Sequence, residues 1–344
     1  MNMRFLGRTG LQVSELSFGA MTFGSGGGYG HMGGLDVDGA RALVEQCLDA
    51  GVNFFDTSDV YAAGESERIL GAAVRRRRDE VVLATKARWP LEGAGPNDQG
   101  LSRHHLVRAV EASLRRLDTD HIDLYQIHGW DGRTPWEETL RALDDLVRAG
   151  KVRYLGASNL AAWQLTRAVG LSEQHFLERF AVHQIQYNLL NREAEWELIP
   201  MARHLGVGIT CWSPLAGGLL SGHQQPGTTP PPGSRRSTGY FEPQDMQWAF
   251  KVVDAVRKVA ADRGATPAQV AIRWLLDQPG VTSVILGARN SGQLAENLDV
   301  TGWSLSDQER ARLDLVSHRP LPYPYWHQAF TDADRAGSAD GLED

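Results

Sequence analysis

The sequence predicts a single α/β unit folded as a (β/α)8 barrel of the TIM type. Two observations carry that expectation: eight short, almost wholly apolar runs, and helical periodicity in the stretches between them. Strands buried on both faces must be apolar throughout, which is the condition of a parallel sheet wrapped by helices. Eight repeats of strand then helix are enough to close such a sheet on itself. Length agrees, because 344 residues exceeds the roughly 150 of an average domain yet suits one large barrel with added loops.

The runs, in order, are Leu16–Met21, Val52–Thr57, Glu80–Lys86, Ile122–His128, Val152–Ser158, Val182–Asn188, Val207–Ser213 and Thr282–Gly287. Ahead of them, Arg4 to Leu16 reads as a hairpin turning at Arg8–Gly10, placed to plug the bottom of the barrel. Val37, Ala40, Leu43, Val44, Cys47 and Leu48 recur at helical spacing, and Gly51 is placed to end that helix. Leu106, Val110, Leu114 and Leu117 form a second stripe, with Ser102 as its cap. Leu140, Leu143 and Val147 form a third, stopped at Gly150; Thr266 and Pro267 open another, since proline suits the first turn. The rhythm breaks after Trp212. There a Pro/Gly/Ser-rich loop, Ala216–Pro243, and an extra helix around Gln247–Arg263 are expected at the C-terminal face. A last helix follows Ser304, then a Pro/aromatic segment, Pro320–Trp326. The expected organisation is one domain over 1–330 and an acidic, disordered tail over 331–344. The cationic run Arg75–Arg78 is expected to be a solvated helix end.

Composition narrows the functional classes. With 42% hydrophobic and 22% charged residues the chain is of ordinary globular make-up. A net charge of -7, with 35 basic residues scattered among 42 acidic ones, argues against a nucleic-acid partner. No apolar run approaches the roughly 18 residues of a membrane span, and the N-terminus has no signal-peptide core, so the expected location is cytoplasmic. Cys47 and Cys211 are far apart and without metal-ligand spacing, and His104 and His105 have no ligand partner one turn away, so no metal is expected.

In such a barrel, chemistry sits at the C-terminal ends of the strands. Those ends read Met21, Asp56, Lys86, His128, Ser158–Asn159, Gln184, Trp212–Ser213 and Gly287. A lone Asp or Lys there is more often a cap or an ion pair than catalytic. Asp, Lys and His at three consecutive strand ends, with Tyr61 five residues after Asp56, form a proton-transfer set. A carbonyl that accepts hydride becomes an alkoxide and needs a proton. A phenol, with an ordinary pKa near 10, holds its proton too tightly unless assisted. An ammonium at Lys86 would assist it, Asp56 would keep that ammonium charged, and His128 would direct the carbonyl oxygen.

These residues, within GVNFFDTSDVY, VLATK, IDLYQIH and GKVRYLGASN, resemble the aldo-keto reductases over about Arg4 to His318. The resemblance implies a barrel that binds NADPH across its mouth without a Rossmann domain and reduces an aldehyde or ketone reversibly. It implies Tyr61 as proton donor, Lys86 and Asp56 as its relay and His128 as the orienting group. Ser158, Asn159 and Gln184 are similar to the set that holds the carboxamide, with Trp212 stacked on the nicotinamide, and Ala20 and Met21 are also implied to bind the cofactor. Ser213, Leu215, Gly217 and Leu219 resemble the pyrophosphate strap. Gly287, Arg289, Gln293, Glu296 and Asn297 resemble the adenosine end. Two positions depart from the pattern: Met21 stands where many members have Trp, and Gly287 where many have Lys. Arg289 is then the main expected partner of a 2′-phosphate.

Three rivals were open to the sequence. Gly28 to Gly33 matches GxGxxG, but in a glycine-saturated stretch and well past the strand, which disfavours a Rossmann reading; that stretch is expected to be a loop at the mouth, with Tyr29 and His31 lining it. A phosphate-binding barrel isomerase is disfavoured by Trp212 and the tetrad. A non-catalytic, nicotinamide-sensing subunit like the family's channel-associated members keeps fold and cofactor. The intact tetrad favours the enzyme, and no inactivating N-terminal extension is expected. The substrate and the oligomeric state are not encoded in any motif.

Overall fold

The computed structural model describes residues 1–27, 33–230, 235–238, 243 and 245–331. Gly28 to Met32, with Tyr29 and His31, and the acidic segment 332–344 lie outside the described residues.

Eight parallel strands close a barrel. They are β3 (Leu16–Gly19), β4 (Phe54–Asp56), β5 (Val82–Ala87), β6 (Ile122–Ile127), β7 (Val152–Ser158), β8 (Phe180–Gln186), β9 (Gly208–Trp212) and β10 (Val281–Leu286), the last pairing with β3 to complete the circle. Each falls within or against one of the eight apolar runs. Ahead of them β1 (Met3–Phe5) and β2 (Gln12–Ser14) form the expected antiparallel hairpin. Leu6 and Val13, both wholly buried, pack on Phe54, Val82, Leu124 and Val182 near the starts of the barrel strands, so the hairpin seals the bottom. Gly7 makes the fit: its φ is +58°, and a Cβ there would stand 2.4 Å from the Ala181 carbonyl. No other residue fits that turn without moving the barrel.

Helices follow the strands. They are α1 (Val37–Asp49), α2 (Glu65–Val74), α3 (Arg103–Leu117), α4 (Trp136–Arg148), α5 (Ala162–Gln174), α6 (Leu198–Leu205), α7 (Met246–Arg263), α8 (Pro267–Leu276) and α9 (Ser291–Leu298), then α10 (Asp307–Ser317) and α11 (Tyr325–Thr331). The expected caps form. Ser102 Oγ accepts from the His105 amide, and Thr266 with Gln269 makes a reciprocal capping box above Pro267. The extra helix, α7, packs against α8 and α10.

Three expectations change. Met21 is not on a strand but in a short helical turn, Ala20–Thr22, that carries the chain off β3. The helix after Ser304, α10, is not the last, because the Pro/aromatic segment leads into a further one, α11, that takes in Tyr325 and Trp326. Arg75–Arg78 is not a uniformly solvated end: Arg78 is largely buried, donates to the Val81 and His121 carbonyls and pairs with Asp123 at 2.8 Å. It locks α2 to the start of the next strand pair.

Candidate active site at the barrel mouth

Strand register sets the first layer. Asp56 lies level with Gly19 and Ala84, Lys86 with Gln126, and Ser158 with Gln184. Polar side chains from neighbouring strands therefore meet inside the mouth. Lys86 Nζ, wholly buried, donates to Asp56 Oδ1 at 2.6 Å and to the Thr57 carbonyl at 2.8 Å. The other Asp56 oxygen accepts from Gln126 Nε2 at 3.1 Å and Gln184 Nε2 at 2.9 Å. Taking two charges out of water costs several kcal/mol per ion, so a pair this deep survives only when its remaining hydrogen bonds are met. Here they are. Gln126, a residue with no role in the sequence reading, is one of the groups that meets them.

Tyr61 arrives on a turn, Tyr61–Gly64, in which Ala62 and Ala63 take left-handed φ values of +48° and +55°. Such strain costs on the order of 1–3 kcal/mol per residue and is commonly held at functional sites. The turn brings the phenol into a hydrogen bond with Lys86, whose Nζ stands 5.1 Å from the ring centre. His128 follows β6, its ring edge-on to Tyr61 with centroids 6.0 Å apart, and its Nδ1 stands 3.1 Å from Ser58 Oγ. All four expected catalytic side chains are thus gathered.

Their electrostatics differ in one respect from the sequence argument. Burial acts to depress the Lys86 ammonium, but Asp56 and Tyr61 outweigh it and hold Lys86 above its ordinary value, hence charged. Burial drives Tyr61 up from the usual phenol value, opposed by the Lys86 charge and hydrogen bond. The contribution of Lys86 has the expected sign; the net direction is the reverse, because the sequence argument weighed charge and left out desolvation. Burial, then the charges of Lys86 and Arg88, push His128 well below the usual imidazole range, so it is neutral at neutral pH.

On the far side of the mouth Trp212 Nε1 donates to Asn159 Oδ1 at 3.0 Å, and Asn159 Nδ2 donates to the His128 carbonyl at 3.3 Å. Ser158 Oγ donates to the Gln184 carbonyl. Ser158, Asn159 and Gln184 do converge, but Gln184 spends its side chain on Asp56.

From Ser213 a cleft of about 230 Å³ runs outward to α9. Ser213, Leu215, Gly217, Gly287, Arg289, Gln293 and Asn297 line it, as expected; Leu219 and Glu296 do not, and Ala20, Met21 and Trp212 also lie outside its lining. Leu219 is wholly buried and Glu296 offers its carbonyl to Gln269. The strap turns sharply, with Ser213 at φ +57°, Ala216 at +48° and Gly217 at +67°. The Arg289 amide donates to Gln293 Oε1.

One charged lining residue escaped the sequence. Arg235 lies over Gly287, its Nη2 only 3.0 Å from where a Cβ on Gly287 would stand. A guanidinium from the Ala216–Pro243 loop thus fills the space beyond the missing side chain. After burial, the nearby charge of Arg289 depresses Arg235, and Tyr61 opposes both. Two cations therefore share one cleft. The only sequence signal was the pair Arg235–Arg236 in a loop without periodicity.

The lining fits a dinucleotide phosphate ligand. The buried Ser213 Oγ has no hydrogen-bond partner among the described residues, glycines leave the backbone approachable, and two guanidiniums supply charge-assisted donors. A second cavity, about 240 Å³, borders the Tyr61 turn and is lined by Gly27, Val60, Ala63, Trp89, Pro90, Leu91 and Glu92.

Residues 15–318 match the model of the aldo/keto reductase family. The chain is 40% identical over 306 residues to a probable voltage-gated potassium channel subunit beta of Oryza sativa subsp. japonica, covering 87% of this chain and 90% of that protein. It is 39% identical over 325 residues to the uncharacterized oxidoreductase YrpG of Bacillus subtilis, covering 91% and 94%. It is 35% identical over 342 residues to the aldo-keto reductase AMT2 of Alternaria alternata, covering 90% of each. With a closed barrel, a gathered tetrad and a match across most of its length, the chain belongs to the aldo/keto reductase family.

Proposed function

We propose that the chain is an NADPH-dependent reductase of aldehydes or ketones, acting in reverse as an alcohol dehydrogenase in the cytoplasm. The observation that carries the reading is the buried Asp56–Lys86–Tyr61 chain with neutral His128 beside it, opening onto a doubly cationic cleft. NADPH, when bound, supplies the hydride. Arg235, Arg289, Ser213 and the Gly217–Gly218 backbone would hold its phosphates, and Trp212 and Asn159 its nicotinamide end. His128 orients the carbonyl oxygen as a neutral hydrogen-bond partner. Tyr61 keeps its proton until negative charge gathers on that oxygen, then transfers it. Lys86, held charged by Asp56, stabilises the phenolate that remains. The substrate enters beside the cavity walled by Trp89, Pro90 and Leu91, which suits an apolar carbonyl compound.

The likeness to potassium channel β subunits favours a second reading, a nicotinamide-sensing regulatory subunit on the same fold. The complete tetrad supports the enzyme.

Cofactor choice tests the cleft. A charge-assisted hydrogen bond contributes roughly 1.5–3 kcal/mol, about a 10- to 150-fold preference per cation. NADPH should therefore bind more tightly than NADH in the parent. Arg289→Ala should remove only part of that preference, because Arg235 remains, and Arg289→Ala with Arg235→Ala should bring the two affinities within a few-fold. Equal weakening of both cofactors, or a parent that already prefers NADH, would refute the 2′-phosphate assignment.

A further inference from the structure

Beneath the mouth lies a polar chain with no part in the mechanism above. Ser58 Oγ, wholly buried, has one proton and three acceptors within reach: Asp59 Oδ1 at 3.2 Å, the Lys86 carbonyl at 3.3 Å and His128 Nδ1 at 3.1 Å. Because Nδ1 is taken up by Ser58, Nε2 is the imidazole nitrogen left for a substrate oxygen. Which nitrogen carries the single proton of a neutral imidazole is set by the partner of the other.

We propose that Ser58 and Asp59 are positioning residues that select the tautomer of His128, and with it whether the imidazole can donate to the substrate oxygen. The inference rests on the reductase reading. When Asp59 is protonated, its hydroxyl donates to Ser58 Oγ, the Ser58 hydroxyl donates to Nδ1, and His128 carries its proton on Nε2. That form donates to a carbonyl oxygen, as reduction requires. When Asp59 is ionised, the carboxylate claims the Ser58 proton, Nδ1–H donates to Ser58 Oγ, and Nε2 presents a lone pair. That form cannot donate to the substrate oxygen, so it withdraws one of the groups that stabilise the negative charge gathering there. One proton passes from Asp59 to solvent; the imidazole keeps one proton throughout.

The surroundings of Asp59 support a switch near neutrality. Burial, then the Glu67 carboxylate on α2, raise its carboxyl to about 8, against the Arg116 guanidinium on α3, the Ser58 hydroxyl and the Val60 amide. Glu67 is itself tied to Arg116 at 2.5 Å and to Thr85 Oγ1 at 2.6 Å. From β6, the buried Tyr125 hydroxyl feels the Asp59 charge and has no hydrogen-bond partner among the described residues. Around His128 stand Lys86, Arg88 and the Tyr61 ring.

The test is imidazole nitrogen NMR on the full-length, nitrogen-15-labelled chain, with His128→Gln used to assign the His128 signals. Between one pH unit below and one above the Asp59 value of about 8, the proton should move from Nε2 to Nδ1. Asp59→Asn, which keeps the shape of the neutral acid, should hold the Nε2–H form throughout, and Ser58→Ala should uncouple the signal from this step. With NADPH and a carbonyl substrate, the parent's reduction rate should fall severalfold across the same step, and Asp59→Asn should flatten that fall. A single tautomer across the step in the parent, or the same step surviving in Asp59→Asn, would overturn the proposal. The NMR arm needs no turnover, so a tautomer switch without catalysis would count against the reductase reading and not against the switch.

Discussion

Tyr61→Phe is expected to lower turnover by roughly 10²–10⁴-fold, the range of a lost general acid, while NADPH affinity changes little. The Tyr61 ring lies against Lys86 and His128 on a turn whose strain comes from Ala62 and Ala63, so removing one oxygen leaves the turn and the aromatic contact in place. What is lost is the proton that must reach the carbonyl oxygen. Single-turnover kinetics at saturating NADPH, beside a fluorescence titration of the cofactor, separates the two quantities. A variant that turns over like the parent would remove Tyr61 from the chemistry; one that fails only because NADPH no longer binds would make it a cofactor residue.

Lys86→Met should weaken the fold as well as the reaction. Breaking one side of a buried ion pair typically costs about 3–5 kcal/mol, because the surviving charge is left without its partner. Asp56 would keep the Gln126 and Gln184 amides but lose its only ammonium, and the phenol of Tyr61 would lose the charge that opposes its burial. Urea unfolding should show the loss as a lower midpoint with an unchanged slope. Adding Asp56→Asn should recover part of the stability and none of the activity, since the two sites are in contact and not additive. A stability change below about 1 kcal/mol would place the Lys86–Asp56 pair among weak surface-type bridges, contrary to its burial.

The barrel was legible because its strands are apolar throughout and recur eight times, a pattern few other folds produce. The catalytic residues were legible for the converse reason: Asp56, Lys86 and His128 are ionisable groups where an apolar strand should simply end. What was hidden depends on tertiary approach. Arg235 reaches Gly287 from a loop with no periodicity, and nothing local in the sequence marks a guanidinium that fills a gap just past β10. Gln126 looks like an ordinary strand residue, and Gln184 like a holder of the carboxamide, until register places both on Asp56. Ser58 and Asp59 sit between two residues singled out for catalysis, yet their link to His128 exists only once β6 lies beside β5. The Tyr61 argument weighed a neighbouring charge, which a motif can suggest, and omitted burial, which it cannot.

The central claim is that this chain transfers hydride and proton to a carbonyl carbon and oxygen, and does not merely hold the cofactor. The most direct measurement follows NADPH absorbance and product formation together, with the purified full-length chain and a panel of aldehydes and ketones, aromatic and aliphatic. The account predicts that at least one carbonyl compound is converted to its alcohol with one NADPH consumed per alcohol formed, and that Tyr61→Phe suppresses both in parallel. Tight NADPH binding with no carbonyl-dependent consumption across the panel, or consumption that Tyr61→Phe leaves unchanged, would contradict it.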